Sequence, residues 1–269
     1  MTDLSLISLR PSDAFALADS KAEKSEYAAF YIEMIQGTGG YVIPPEGYFE
    51  RLQEILEARK ILIVDDEIQM GIYRTGKLWA IENFGIKPDI IVFGKALTNG
   101  MNPLSGIWAR EELINPEVFP PGSTHSTFAS NPLGTAVGLE TLKILQEEDY
   151  ENLTREKGAY FLEGLKELKR RHKIIGDVDG LGMALRIEIC SAEDGFTPDK
   201  AMMDRIVDEA MLGNIEYNGK KYGLILDIGG YYKNVITVAP ALTISYEEID
   251  MAISLLDQVF TRCTSRSFV

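Results

Sequence analysis

The stretch ILIVDDEIQMGIYRTGKLW, residues 61–79, restricts the possible folds of this chain more than any other, because a wholly apolar run passes directly into three acids. Residues 61–64 are apolar at every position, which is typical of a strand covered by helices on both faces. Asp65, Asp66 and Glu67 follow at once, and a carboxylate at the end of a buried strand is costly unless a cation meets it. The sequence therefore predicts a covered sheet with a cationic group at its edge.

Strand and helix patterns alternate along most of the chain, which predicts an α/β fold with a mainly parallel sheet flanked by helices. Short apolar runs predict strands at residues 28–34, 61–64, 90–93 and 104–109. The helical spacing of apolar residues predicts helices at residues 44–59, within 77–85, and at 133–146, 150–171, 199–211 and 246–260. Later strands are predicted at residues 183–189, 222–227 and 235–238.

The character of the sequence changes after residue 132, where long amphipathic helices replace strands with polar ends. We therefore predict a boundary near residue 146, between a domain at residues 1–146 and a smaller α+β domain at residues 147–269. The candidate site belongs to the first domain, because that domain carries the polar strand ends.

The charge balance limits the possible partners. The chain has 27 basic and 41 acidic residues, and its net charge of −14 repels nucleic-acid backbones and anionic membrane surfaces. No metal is expected, because there are two histidines and because Cys190 and Cys263 match no metal-binding spacing. Neither an export signal nor a membrane-spanning run is evident, so we expect free thiols and a cytoplasmic location.

Lys95 is the candidate for the cation at the sheet edge. It comes just after the predicted strand at residues 90–93, and Asp66 comes just after the preceding strand. Ligands of open parallel sheets bind beyond the carboxyl ends of the strands, so both side chains can project into one crevice. By spacing alone, a structural ion pair between Asp66 and Lys95 is the simpler interpretation.

Four segments resemble motifs of one enzyme family and occur in the family's order. Residues 33–40 (EMIQGTGG) resemble its EPIQGEGG, and residues 66–77 (DEIQMGIYRTGK) resemble its DEVQTGFGRTGK. Residues 88–97 (PDIIVFGKAL) resemble PDIVTLAKAL, and residues 125–132 (HSTFASNP) resemble HGSTFGGNP. From about residue 28 onward, the chain resembles the class III (omega) aminotransferases, which are pyridoxal-phosphate enzymes of fold type I.

The resemblance implies a catalytic pair, Lys95 and Asp66. Lys95 corresponds to the lysine that forms a Schiff base with the cofactor aldehyde and then acts as a base. Asp66 corresponds to the acid beside the ring nitrogen, where a carboxylate keeps the pyridine protonated so that it can accept electrons. Asp65 aligns one position early, and a capping or surface role suits it better.

Two further cofactor-binding candidates follow from the same resemblance. Gln69 would contact the region of the ring hydroxyl, although a glutamine after a strand is otherwise an ordinary loop residue. Thr127 would bind the cofactor phosphate of the neighbouring subunit, which implies a homodimer with composite active sites. Without the family context, Thr127 would be interpreted as a cap or turn residue.

The first part of the family's large domain has no counterpart in this sequence. That part carries the glycine and hydroxyl residues that hold the phosphate at a helix N-terminus, together with the aromatic ring that stacks on the cofactor. Residues 1–27 replace neither. The chain therefore resembles the later half of the large domain followed by the small domain, and a truncated, catalytically incompetent chain is one alternative.

The expected substrate site also departs from the family. Many members have an arginine that grips the substrate carboxylate where this chain has Thr237, and Asp179 replaces a second arginine. Glu33 corresponds to the glutamate that pairs with the first arginine and is the substrate-binding candidate. We expect transfer of an amino group between an amine or amino acid and a keto acid, with an amine, an omega-amino group or an epimerised amino acid as the substrate. A pyridoxal-phosphate-dependent racemase or epimerase is the alternative.

Overall fold

The computed structural model describes residues 27–117, 119–124 and 126–265. This part of the chain divides into two compact units, each assembled from segments that are not contiguous in the sequence. Of the described residues, the first unit contains residues 27–34 together with Pro44–Ile72 and Lys77–Glu148. The second unit contains Ile35–Ile43, Tyr73–Gly76 and residues 149–265.

The first unit is built on a sheet whose four described strands lie in sequence order. They are β1 (Ala29–Ile32), β2 (Leu62–Asp66), β3 (Ile90–Phe93) and β4 (Gly106–Ala109). β1, β2 and β3 run parallel, which confirms the mainly parallel sheet, whereas β4 is antiparallel to β3. A parallel neighbour normally needs a crossover helix, and the segment between β3 and β4 contains only the short 3-10 helix Lys95–Thr98.

Helices complete the first unit. The α-helices in its described residues are α1 (Tyr48–Arg59), α2 (Glu111–Ile114) and α3 (Pro132–Glu147). α3 begins with a proline after Asn131, whose side-chain oxygen accepts a hydrogen bond from the Gly134 N–H at 2.7 Å. The helix predicted within residues 77–85 is only a 3-10 helix, Ala80–Phe84. It begins only after Trp79, whose backbone is extended with φ of −116° and ψ of 138°, and it ends before Gly85, whose φ of 67° interrupts the helical backbone.

The second unit contains an antiparallel sheet, a separate hairpin and three α-helices among its described residues. The sheet has the order β5 (Ile175–Leu181), β6 (Ala184–Ile189), β10 (Val235–Val238) and β9 (Asp227–Gly229). The hairpin consists of β7 (Ile215–Tyr217) and β8 (Lys220–Tyr222). The helices are α4 (Tyr150–Arg171), α5 (Lys200–Met211) and α6 (Tyr246–Ser265). Their apolar faces enclose a core that includes Phe161, Leu165, Ile187, Ile206 and Phe260.

β5 has no counterpart among the predicted strands. Its sequence, IGDVDGL, contains two glycines and two aspartates, which hide the alternation of apolar and polar residues that marks a strand. A tight turn at Gly182, with φ of 57°, leads from β5 into β6. Gly158 of α4 approaches Gly182 so closely that a Cβ atom on Gly158 would overlap its carbonyl group.

The strand predicted at residues 222–227 is wrong. Tyr222 ends β8 and Asp227 begins β9, and the residues between them are not paired with another strand. The N–H of Leu224 instead donates a hydrogen bond to the carbonyl oxygen of Ala210 at 2.8 Å, at the end of α5. Within the described residues, no helix is both long enough and apolar enough to cross a membrane.

Candidate active site

The candidate site lies at the carboxyl ends of β2 and β3. Asp66 is the last residue of β2, and Lys95 follows β3 after a single glycine. The two strands are parallel, and Asp66 pairs in register with Val92, so both strands end at the same edge of the sheet. The structure therefore places the two candidate catalytic residues at neighbouring strand ends, where open parallel sheets bind their ligands.

Lys95 has a strained backbone conformation, and its side chain is hydrogen-bonded to a neutral partner. Its backbone φ is 37°, a positive value that costs on the order of 1–3 kcal/mol in a residue other than glycine and that clusters at functional sites. Its Nζ atom donates a hydrogen bond to Oε1 of Gln69 at 3.0 Å. The described residues show no ion pair between Lys95 and Asp66, so the structural ion pair is not formed.

A pocket with a volume of about 500 Å³ opens beside Lys95. Its wall includes three hydroxyl side chains, those of Thr98, Ser105 and Ser126. Apolar side chains complete the lining, among them Ile68 and Phe128. A volume in this range accommodates a small organic ligand, and hydroxyl groups can orient the polar atoms of such a ligand.

Two donors orient the carboxylate of Asp66. Its Oδ1 atom accepts a hydrogen bond from the Ile68 N–H at 3.0 Å, and the hydroxyl group of Tyr31 on β1 donates a hydrogen bond to the same carboxylate. Although Tyr31 is 46% exposed, the partial burial of its hydroxyl group, followed by the negative charge of Asp66 and by this hydrogen bond, raises its pKa to about 12. Tyr31 therefore keeps its proton at neutral pH and remains a donor to the carboxylate.

Thr127 and Glu33 lie near the pocket and Asp66, respectively, but neither residue lines the pocket. Thr127 is exposed in a turn between Ser126 and Phe128, which both line the pocket although Thr127 itself does not. Glu33 is half-buried after β1, and its negative charge contributes to the raised pKa of Tyr31. His125, which begins the HSTFASNP motif, lies outside the described residues.

The expectation of a capping or surface role for Asp65 is wrong, because its side chain is buried. It has 0% exposure and shares one face of β2 with Glu67, which is 2% exposed. Burial and the neighbouring charge of Glu67 raise the pKa of Asp65 to about 10. Oε1 of Glu67 accepts a hydrogen bond from the Ile81 N–H at 2.9 Å. The strand end thus presents Asp66 on one face and a buried acid pair on the other.

Thr237 and Asp179 lie in the second unit at the two positions where the family has arginines, and neither side chain is positively charged. It lies on β10, and its hydroxyl group donates a hydrogen bond to Oδ2 of Asp227 at 2.6 Å. Asp179 lies on β5, where its carboxylate accepts a hydrogen bond from the Gly180 N–H at 2.9 Å. The positions that resemble the family's arginines therefore carry a hydroxyl group bound to an acid and a second acid.

Sequence analysis did not identify three residues around the site, Tyr31, Thr98 and Ser105. Tyr31 sits in a strand pattern that also suits a buried aromatic residue, and its contact with Asp66 depends on the pairing of β1 with β2. Thr98 and Ser105 belong to the loop between β3 and β4, whose path the sequence does not reveal. Their only signal is a cluster of small hydroxyl residues close to Lys95 in the sequence.

The residues present fit pyridoxal phosphate. An amine outside an ion pair could bond to its aldehyde, and Lys95 presents such an amine in the described residues, bound to the Gln69 amide at the wall of a cavity. A carboxylate at the neighbouring strand end matches the charge of a protonated ring nitrogen. Lys95 and Asp66 would hold the two ends of the reactive ring, with Gln69 beside the amine.

Comparison with known proteins defines the class to which this fold and site belong. The sequence model of the family described as Aminotransferase class-III matches residues 10–260. The chain belongs to this family, whose members depend on pyridoxal phosphate.

Among characterised relatives, the alanine/serine racemase of Pyrococcus horikoshii is 39% identical over 233 residues, which cover 87% of this chain and 46% of the racemase. The ornithine aminotransferase of Brevibacillus brevis is 35% identical over 232 residues, which cover 86% of this chain and 52% of that enzyme. The chain therefore spans about half the length of the curated relatives it matches.

Solved structures agree with the fold. An aminotransferase of Bacillus anthracis superimposes with a TM-score of 0.81 at 28% identity and covers 94% of this chain and 56% of its own. An ornithine aminotransferase of Toxoplasma gondii, described as holding pyridoxal phosphate at partial occupancy in its active site, gives a TM-score of 0.76 at 29% identity. That match covers 93% of this chain and 54% of the enzyme.

Proposed function

We propose that this chain binds pyridoxal phosphate and takes part in transferring an amino group between an amine or amino acid and a keto acid. The observation that carries the proposal is the Lys95 amine, which is bound to the Gln69 amide at 3.0 Å beside a pocket, with Asp66 at the neighbouring strand end. The amine donates to a neutral amide and not to a carboxylate, so no ion pair has to be broken before it bonds to a cofactor aldehyde.

Each residue has a defined task in this proposal. Lys95 bonds the cofactor through its amine and, once released, moves the proton at the substrate carbon. Asp66 holds the proton on the ring nitrogen, and the Ile68 N–H and the Tyr31 hydroxyl fix its carboxylate in place. Gln69 keeps the amine directed toward the pocket. The bound cofactor supplies an electron sink for the charge that develops when this proton leaves.

A homodimer with composite sites is part of the proposal. Thr127 would bind the cofactor phosphate of the partner subunit, since its side chain is exposed and its two neighbours line the pocket. α3 supports an interface as well, because it buries the small residues Gly134, Gly138 and Thr141 while Leu133, Leu139 and Leu142 remain exposed. Exposed apolar faces of this kind mark protein interfaces.

The domain boundary, the substrate residue and the compartment also remain proposals. We place the cofactor-binding domain at residues 1–146 and the small domain at residues 147–269. Glu33 is the candidate substrate contact. Cys190 and Cys263 are both buried free thiols, which suits a reducing, cytoplasmic environment.

Racemisation is the second candidate function, and a specific similarity favours it. The alanine/serine racemase is 39% identical to this chain, and the leucine/methionine racemase of Thermococcus litoralis is 34% identical over 231 residues. A racemase needs no keto-acid partner, which is compatible with Thr237 bound to Asp227 at 2.6 Å in place of a carboxylate-gripping arginine. Amino transfer to a keto acid and loss of optical rotation are separate assays that distinguish the two activities.

The third candidate is a chain that cannot catalyse either reaction by itself, since it spans about half of its relatives' length. The absorbance spectrum with added pyridoxal phosphate tests this. A band near the visible edge that disappears on borohydride reduction, is lost in Lys95→Ala and persists in the exposed-lysine control Lys87→Ala supports the proposal. A chain without this band is incompetent to hold the cofactor.

A further inference from the structure

Asp65 and Glu67 form a buried acid pair that the proposed chemistry does not use. Successive side chains of a strand point to opposite faces, so Asp65 lies on the face of β2 opposite to Asp66. Glu67 directly follows β2, and its N–H continues the pairing by donating to the carbonyl oxygen of Val92 at 2.8 Å, so its side chain points to the same face as that of Asp65. Asp65 pairs in register with Ile32 on β1 and with Ile91 on β3, so apolar residues flank it on both sides. Neither carboxyl oxygen of Asp65 meets a hydrogen-bond donor in the described residues.

Among the described residues, the charged groups that act on the pair are acids. The groups that act on Asp65 are Glu67 and Asp66, and Glu82 acts on Glu67. Tyr31 is the other titratable group that senses Asp65. Two buried carboxylates without a cation cannot both be ionised at low cost, so the pair retains a proton.

The hydrogen bonds decide which acid retains it. Glu67 accepts hydrogen bonds from the backbone N–H groups of Ala80 and Ile81, and these bonds favour its ionised form. Asp65 has no such donors in the described residues, and an interaction of its carboxyl group with that of Glu67 contributes to its raised pKa. The remaining oxygen of Glu67, Oε2, is buried and also lacks a donor unless Asp65 supplies one.

We propose that Asp65 is a positioning residue that stays protonated at neutral pH and donates to Glu67, and that this bond fixes the end of β2, and with it Asp66, to the Ala80–Phe84 segment. The assignment of Asp65 as the proton holder stands on its burial and its missing donors. The consequence for Asp66 rests on the proposed function. Asp65 lies one residue before the segment that resembles the family motif, so the motif does not account for it.

The first test follows unfolding of the cofactor-free chain by urea between about pH 6 and pH 9. The pKa of Asp65 is higher in the folded chain than its ordinary value of 3.8, so its contribution to stability is lost as the pH rises from about 4 to about 10. Asp65→Asn keeps a donor toward Glu67 but cannot ionise. Relative to Asp65→Asn, the unfolding constant of the wild type should rise by about tenfold for each pH unit.

The exposed-acid variant Glu54→Gln is the matched control and should follow the wild type at every pH. Parallel pH dependences of the wild type and Asp65→Asn would overturn the proposal. A measurement on the wild type alone removes any dependence on the folding of a variant. The infrared band of a protonated carboxyl group should be present at about pH 7, and its absence there would also overturn the proposal.

The second test concerns position and uses the affinity for pyridoxal phosphate at about pH 7.5. Asp65→Val removes the donor and should weaken binding by about tenfold or more, whereas Asp65→Asn should stay within about threefold of the wild type. Equal affinities of Asp65→Val and the wild type would refute the positioning role. A wild type that binds no cofactor would refute it together with the proposed function, while the unfolding comparison with Asp65→Asn would still decide whether Asp65 holds the proton.

Discussion

The Nζ atom of Lys95 lies 3.0 Å from Oε1 of Gln69, although the two residues are 26 positions apart and follow different strands. This contact exists because β2 and β3 are parallel neighbours that end at the same edge of the sheet. It gives the amine a neutral hydrogen-bond acceptor instead of an ionic partner. The amine is thereby oriented without being held as part of an ion pair, which is the property that a covalent cofactor attachment requires.

Removing the amide of Gln69 should weaken cofactor binding moderately. A neutral hydrogen bond contributes about 0.5–1.5 kcal/mol, so Gln69→Ala should raise the dissociation constant of pyridoxal phosphate by roughly twofold to tenfold. Titration followed by absorbance measures this constant. The exposed glutamine variant Gln146→Ala should bind like the wild type, and an unchanged constant in Gln69→Ala would show that the amide does not orient the amine.

Thr127 should affect cofactor affinity only in an assembled dimer. Thr127→Val removes the hydroxyl group at nearly constant volume and should weaken binding of the phosphate-bearing cofactor by about tenfold, with a smaller effect on pyridoxal, which lacks the phosphate. Dissociation constants for the two compounds, measured alongside the molecular mass in solution, test this. Thr124→Val, a nearby exposed threonine, is the control. Equal losses for both compounds would argue against a phosphate contact.

A leucine in the core of the second unit should carry far more stability than an exposed one. Leu165 on α4 has 0% exposure, and Leu165→Ala should lower the free energy of unfolding by about 2–5 kcal/mol. Leu212, at 57% exposure after α5, loses little burial on the same change, so Leu212→Ala should cost less than about 0.5 kcal/mol. Urea unfolding followed by circular dichroism provides both values. Similar losses in the two variants would contradict the described core.

The thiol of Cys190 should resist modification in the folded chain. It is 2% exposed, and burial together with the nearby charges of Glu188, Asp194 and Asp177 raises its pKa to about 11. At about pH 8 it is therefore protonated as well as shielded, and a thiol-specific reagent should label it only after unfolding. A Cys263→Ser background isolates this reaction. Rapid labelling under native conditions would be inconsistent with the structure.

The long periodic elements were within reach of sequence analysis. Residues 90–93 and 150–171 were predicted with the bounds of β3 and α4, because each has a clear apolar run or helical spacing. β5 was out of reach, since two glycines and two aspartates mask its alternation and its pairing with β6 depends on the turn at Gly182. Local pattern does not encode a strand that is stabilised mainly by its neighbour.

The site shows the same division between local and tertiary information. The positions of Asp66 and Lys95 at strand ends follow from local pattern, and motif resemblance singles out Gln69. The burial of Asp65 does not follow from local pattern, because an acid beside a strand end is normally solvated. Only the packing around Glu67 and Ile81 shows that Asp65 is buried. Thr98 and Ser105 likewise line one pocket only because of the path of the folded loop.

The central claim is that Asp66 and Lys95 serve the two ends of one pyridine ring. Nitrogen NMR of the chain loaded with pyridoxal phosphate labelled at the ring nitrogen tests it most directly, since the chemical shift reports whether that nitrogen is protonated. We expect a protonated nitrogen in the wild type and an unprotonated one in Asp66→Asn at the same pH. The same signal in both proteins would contradict it.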